Sequence, residues 1–523
     1  MSTLILTVFL VYTVLILVIA HITSRKSTNE TFFTGNRKSP WFVVAYGMIG
    51  ASLSGVTFMS VPGNVYTSQF TYFGIVLGYI IGYAVIALLL LPLYYKLNLT
   101  SIYSYLEMRF GKHSEKTGAA FFILSRLLGS ALRMYLVVFV LYEFVFKAWG
   151  IPFWVPAVIF IALILVYTFK GGIKTVVWTD TLQTTFLLLA AIITVVCILR
   201  ELNITIPDLL QASSENGYTK MFETDPNHSR FWLKQILSGA FITIVMTGLD
   251  QDMMQKNMTC KSLRDAQKNV MTSSILFIFV NIIFLCLGAS LIYYAQQTGF
   301  QLPTNDSGVV VNDKIFPAIA FSFSKFTSVV FVIGLVAAGY SSADGTLTAL
   351  TTTFCYNFLD FDTKIILSEE QKLKTRKRIH IIFAIVYLLV IIAFRPFHNQ
   401  SLIDKVFEIA GYTYGPLLGL YSFGLFIKKR KPIDKYVPYI AIASPILSYI
   451  LNMYSVQLFN GYKFGFEILI INGLITFMAL LAISKKIKIC KSAKTAEVTS
   501  PVQEKRFPSD QQHFVPRGFQ IFP

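Results

Sequence analysis

The sequence predicts an all-α polytopic membrane protein with about thirteen transmembrane helices, and three observations predict it. Hydrophobic residues make up 54% of the 523-residue chain and charged residues only 14%, well outside the range of soluble domains. The apolar residues arrive in runs of about 18 or more, the length a helix needs to cross the hydrocarbon of a bilayer. Finally, 33 of the 45 Lys and Arg residues fall in alternate segments between those runs, the asymmetry that marks cytoplasmic loops. The net charge of +18 is therefore a topological signal and not a nucleic-acid footprint. The expected arrangement has the amino terminus outside, the carboxyl terminus in the cytoplasm, the lipid bilayer of the cell (inner) membrane as surroundings, and a monomer as the working unit.

The first span, near 3–21, has no basic residue before it and Ser-Arg-Lys after it, so it reads as a retained helix and not as a cleaved signal. With its inner loop it forms a leading unit, 1–40. The second span, near 41–66, carries Gly47, Gly50, Ser52, Ser54, Gly55, Thr57, Pro62 and Gly63. Such a segment either packs closely through small residues or unwinds where its carbonyls face a cavity. The third, near 71–94, has Gly74, Gly78 and Gly82 four apart, a packing stripe. In the fourth, near 117–146, Arg126 and Arg133 lie on one helical face. Arg126 is near enough to the inner end to snorkel. Arg133 is too deep for that, and is either an ion-pair partner or an anion ligand. The fifth and sixth spans, near 152–169 and 176–199, flank KGGIKTVVWTDTLQ. Asp180 there lies one to two turns inside the membrane and needs a cation, Arg133 or a backbone end as partner. These five spans form a first unit, 41–199.

The outside loop 200–231 is expected to carry an interfacial helix. In the seventh span, near 232–255, the segment MTGLDQD places Asp250 and Asp252 where the helix would unwind. The second and seventh spans each open a run of five and run in opposite directions, the pointer to an inverted repeat with a site between two broken helices. The second unit is 232–430. After a plain eighth span, near 273–296, the ninth, near 326–357, contains AAGYSSADGTLTAL. Ser341, Ser342 and the carbonyl of Ala338 offer the hard oxygens a small cation prefers. Asp344 adds a carboxylate, which in a span normally faces a protein-lined cavity. The bland alternative is a serine pair bonding back to its own helix. A charged stretch at the inner surface leads to the tenth span, near 379–395. The eleventh, near 404–427, contains Gly411, Gly415 and Pro416, which predict a kink. Two additional spans occupy 431–486, and the polar segment 487–523 reads as a disordered cytoplasmic tail. The five cysteines show no paired spacing in an outside loop, so neither a disulfide nor a zinc site is expected.

Taken together, FFTGNRKSPWF, GASLSGVTFMSVPG, KGGIKTVVWTDTLQ, DQDMMQKNMTCKS, AAGYSSADGTL and GYTYGPLLGL resemble, in order and spacing, the sodium:solute symporter family, which includes proline, galactose and sialic acid symporters. The resemblance spans roughly residues 30–430. It implies the fold of the leucine transporter, with two inverted five-helix repeats. It also implies a sodium site made by the carbonyls of Gly50, Leu53 and Ala338 and the hydroxyls of Ser341 and Ser342. In some members a second sodium is held by an aspartate matching Asp180 and by hydroxyls after the serine pair. Here Asp344 and Gly345 stand at those hydroxyl positions, and Asp180 and Asp344 are the candidates for a second sodium. For the solute, sialic acid symporters place hydroxyls on the broken first helix and an arginine on the third core helix, matched by Ser54, Thr57 and Arg133. Asp250 stands where sugar symporters tend to have an amide. Asp252 and Tyr412 complete the candidate solute-binding set.

The leading expectation is sodium-driven import of a small organic solute by alternating access, with a carboxylate-bearing solute such as a sugar acid preferred to a neutral sugar or an amino acid. A membrane enzyme or sensor is disfavoured by the lack of a nucleophile elbow, a phosphate-binding loop, metal-ligand spacing or a soluble catalytic domain. A channel is disfavoured because the polar groups form closed clusters and no repeated pore-lining ring.

Overall fold

The computed structural model describes residues 2–25, 28–305, 307–361, 368–395 and 402–486. Helix dominates the chain throughout. Among the described residues, seven helices are long and apolar enough to cross a membrane, and nine spans result if each of two bent helix pairs is one crossing. The remaining predicted spans fall on shorter or partly charged helices: Trp154–Gly171, Glu369–Ala393, the pair Leu402–Thr413 and Gly415–Phe426, and Ile468–Ala482. Large apolar side chains such as Leu88, Val166, Phe279 and Leu447 are exposed on the outer faces. A helical surface of that composition has a low-energy place only against lipid.

Both predicted interruptions are present. The helix Trp41–Ser52 stops and resumes as Gly55–Ser68 at an angle of 60°. Between them Leu53 (φ −83°, ψ 100°) and Ser54 (φ −90°, ψ 175°) are extended, so backbone groups around the break are released from the helical ladder. The helix that opens the second unit breaks likewise, and Gln251–Asn257 leaves the preceding segment at 71°. Asp250 caps it, accepting from the Met253 amide at 3.2 Å. The two readings of the small residues in the first broken helix both hold. The helix unwinds at its middle, and it also lies so close to Ile173–Glu201 that a Cβ on Gly50 would overlap the Thr184 hydroxyl.

The glycine stripe at 74, 78 and 82 meets the helix Trp232–Thr243. A methyl group on Gly78 would overlap the Ile236 carbonyl, and one on Gly239 would overlap the Ile75 carbonyl. The two backbones are thus nearly in contact, and Tyr72, Tyr79 and Tyr83 on the same segment line the interior instead. The interruption expected near Gly415 is a one-residue gap at Tyr414, which keeps α-helical angles and bonds to Ala410 and Leu418, and the outside loop carries the helix Ile206–Glu215, closed by a Thr205–Asp208 capping box. One element departs from the all-α expectation. Arg430–Pro432 pairs antiparallel with Ser484–Lys486, a ribbon of basic and small residues that reads in sequence only as inner-surface charge. The predicted tail, 487–523, lies outside the described residues.

The close crossing makes a paired expectation. Gly78→Ala should lower the melting temperature of the purified protein, with overpacking costing about 1–3 kcal/mol. Gly129→Ala, in the helix Lys112–Leu141 with nothing within 4 Å of the new methyl, should hold or raise stability by about 0.5–1 kcal/mol through helix propensity. Thermal unfolding of both variants in one detergent checks the pair.

Candidate functional site

Three of the residues expected to hold sodium, Gly50, Ala338 and Ser341, meet from two distant parts of the chain. The Ser341 hydroxyl donates to the Gly50 carbonyl at 3.0 Å, linking the helix Lys325–Asn357 to the broken first helix, and lies 3.3 Å from the Ala338 carbonyl of its own helix. Back-bonding and cross-helix contact therefore coexist at this serine. The Ser342 hydroxyl is buried with no hydrogen-bond partner among the described residues. Its backbone carbonyl accepts from Ser130 at 2.9 Å and from Thr346 at 2.8 Å. A buried, unsatisfied hydroxyl costs about 1–3 kcal/mol, and one next in sequence to a serine that reaches the Gly50 carbonyl of the broken helix has the chemistry of a cation ligand. The donor set fits a small hard cation.

A network of buried charges lies beside this site. Arg126 pairs with Asp252 and lies 3.6 Å from Asp250, and its Nε donates to the Thr346 hydroxyl at 3.1 Å. It does not snorkel. Two carboxylates held by a broken helix end in a dry interior require a cation, and Arg126, 3% exposed, is spent on them. For the same reason Asp250 and Asp252 do not line the solute crevice. Asp250 also accepts from the Tyr414 hydroxyl at 2.6 Å.

Asp180 is paired with Lys256, whose Nζ lies 2.9 Å from Asp180 Oδ2 and 3.4 Å from Asp252 Oδ1. Asp344 is held differently, accepting from Tyr167 at 3.0 Å, Thr179 at 3.4 Å and the Gly345 amide at 2.6 Å. Lys256 was missed in sequence because it falls among the basic residues that follow the seventh span. Its signal was local: Asp252 stands one turn earlier on the same short helix, the spacing of an ion pair.

A crevice with about 690 Å³ of empty space, open solvent at its mouth included, lies between the two broken helices. Ser54 and Thr57 from the first broken helix line it, with Arg133, Tyr72, Tyr79 and Asn281. The Tyr72 and Tyr79 hydroxyls bond at 3.1 Å. Arg133 is 8% exposed, and no acid among the described residues lies within ion-pair distance of it. Two helical turns separate it from Arg126, a rise of about 10 Å, so Asp250 and Asp252 serve the one arginine and not the other. Tyr412 is not in this crevice. Its hydroxyl accepts from Asn452 at 2.8 Å, and it lines a separate crevice with Arg230, Asp404 and Glu408. The interior position belongs to Tyr414, because two residues turn a helix by about 200° and carry a side chain to the opposite face.

Comparison with known proteins places the chain in a family and supports the fold. The sodium/sialic acid symporter SiaT of Proteus mirabilis is 26% identical over 433 residues, covering 79% of this chain and 83% of the relative. The sodium/sialic acid symporter NanT of Aliivibrio fischeri is 25% identical over 432 residues, covering 81% and 82%. A solved structure of a Na+-coupled sialic acid symporter in a substrate-bound, outward-open state superposes with a TM-score of 0.77 at 24% identity, covering 92% of this chain and 99% of that one. That likeness gives the fold. The model of the sodium:solute symporter family matches residues 32–432, and the chain belongs to that family.

Proposed function

We propose that this protein is a sodium-coupled symporter importing a carboxylate-bearing solute, with a sugar acid of the sialic acid type as the best candidate. Family membership supports sodium coupling, and two relatives carry sodium/sialic acid symport in their names. The observation that carries the solute class is Arg133, a buried guanidinium facing the crevice with no acid on it while Arg126 is fully engaged. A permanently charged, planar fork in a low-dielectric site is matched by a carboxylate and poorly matched by a neutral ligand. The hydroxyls of Ser54, Thr57, Tyr72 and Tyr79 with the Asn281 amide suit the hydroxyl groups of a sugar.

Sodium is assigned to the oxygens of Gly50, Leu53, Ala338, Ser341 and Ser342, where a bound ion supplies the positive charge that ties the first broken helix to the Ser341 helix. Ser342 then gains the partner it lacks, and the released carbonyls of the break are satisfied. Tyr72 lines both the solute crevice and a neighbouring one bounded by Asn64, Arg230 and Asp404, which makes it a boundary between the site and an outer vestibule in an alternating-access cycle. In the same reading the chain crosses the cell membrane thirteen times as a monomer, amino terminus outside. Units 41–199 and 232–430 form the inverted repeats, 431–486 the two added helices, and the carboxyl terminus is cytoplasmic.

Two expectations follow from the site. Ser341→Ala and Ser342→Ala should each weaken apparent sodium affinity by about tenfold or more, since each removes one ligand from a largely dehydrated ion. Transport into proteoliposomes against sodium concentration measures this, and unchanged affinity in both variants removes the assignment. The two arginines should behave oppositely. Arg133→Lys should lose roughly 10- to 100-fold in affinity for sialic acid, the value of charge-assisted bonds in the wrong geometry, with the melting temperature nearly unchanged. Arg126→Met should destabilise by about 3–5 kcal/mol because it strands two buried carboxylates. Retained sialic acid affinity in Arg133→Lys points to a neutral or zwitterionic solute.

A further inference from the structure

The resemblance raised a second sodium at Asp180, and the residues around that carboxylate decide whether one fits. Asp180 and Asp252 are 1% and 0% exposed, and the Lys256 side chain between them is 1% exposed. The ammonium is 2.9 Å from one carboxylate and 3.4 Å from the other, which is where a cation shared by two carboxylates would lie. Three parts of the fold meet there. Asp180 belongs to the helix Ile173–Glu201, Asp252 and Lys256 to the short helix after the second break, and the backbone at Gly345 to the helix Lys325–Asn357.

Gly345 settles how the space is divided. A Cβ at this position would overlap Asp252 Oδ1 and approach Lys256 Nζ to 2.8 Å. A hydroxyl-bearing side chain at 345, the kind of group a second sodium would draw on, thus competes for the same space as the ammonium. The neighbouring carboxylate is also withdrawn, since the Asp344 oxygens already accept from Tyr167, Thr179 and the Gly345 amide. A sodium forced within about 4 Å of Nζ would be weakened roughly a thousandfold by repulsion in a protein interior.

We infer that Lys256 is a tethered counter-cation that occupies the second cation position, so that this symporter binds one sodium per chain. The ammonium performs the structural half of an ion's work, holding the short helix of the second unit against the first unit through Asp180. It cannot dissociate, and so it adds nothing to the energy drawn from the sodium gradient. This rests on the symport reading above.

The test is equilibrium binding of radiolabelled sodium to the purified wild-type protein in choline chloride medium, counted as ions per chain. One site is expected, and its affinity should fall by about tenfold or more in Ser342→Ala. Two sites in the wild type overturn the inference while leaving sodium symport intact, whereas no sodium binding at all overturns the symport reading itself. The gain-of-site arm is the double variant Lys256→Gln with Gly345→Ser, in which the ammonium is removed and a hydroxyl is supplied. It should bind a second sodium, with the Hill coefficient rising from one toward two, while Lys256→Arg keeps one site. A folded double variant that still binds a single sodium also overturns the inference. Should the double variant fail to fold, the wild-type count decides.

Discussion

The constraint on which this structure depends is the matching of buried carboxylates to cations. Asp180, Asp250, Asp252 and Asp344 are each no more than 1% exposed, in a protein whose surroundings are hydrocarbon. Each would be prohibitive alone. Arg126 and Lys256 neutralise three of them across three helices, and the fourth is held by two hydroxyls and an amide. The helices that meet the charges are those that carry the site, so the network fixes the position of the second broken helix relative to the serine pair. Breaking one member strands another, and the network therefore acts as a unit.

Helix breakage and helix packing solve opposite problems in the same segments. An unwound residue at membrane depth exposes carbonyls that must be satisfied, and a cation site uses that need. Small residues allow neighbours to approach, and Gly50 does both: its carbonyl accepts from Ser341, while its missing side chain makes room for Thr184. The second break solves the problem differently, with Asp250 as its cap and Arg126 and Tyr414 on the cap. The first break is met by a hydroxyl of another helix, Ser341 on the Gly50 carbonyl. The second is closed by protein groups.

This difference explains what was legible in the sequence. Both breaks, the glycine stripe, the loop helix and the interruption near Gly415 were readable because glycine, proline and polar residues in apolar runs have few other uses. Ser341 and Ser342 stood out because hydroxyls in an apolar span need partners, whereas Gly50 came from the family resemblance and its contact with Ser341 from the structure. Partner choice was not. Arg126 read as a snorkelling residue and Lys256 as loop charge, because a basic residue near a span end looks the same whether it turns to water or to an acid three helices away. Tyr412 and Tyr414 differ only in face, and two tyrosines in one apolar run carry the same composition whichever of them turns inward. The thirteen crossings read as apolar runs outnumber the helices that qualify by length because several runs fold as short or bent pieces.

The allocation of cations also sets what the mobile load carries. The two fixed cations are committed to three carboxylates, and in the proposed reading Arg133, which lines the crevice among the described residues, takes the ligand while the Ser341–Ser342 oxygens take the ion. A sodium and a singly charged carboxylate entering together sum to zero charge. Neither the buried network nor the membrane potential then opposes the loaded state more than the empty one. With a single ion and an anionic solute, the sodium concentration gradient alone supplies the driving force, at about 1.4 kcal/mol for each tenfold ratio. A neutral solute would instead bring one net charge per cycle and couple to the membrane potential, about 2.3 kcal/mol per 100 mV. In the proposed reading the unpaired state of Arg133 bears on energetics as much as on recognition: a guanidinium that selects a carboxylate also removes the membrane potential from the driving force.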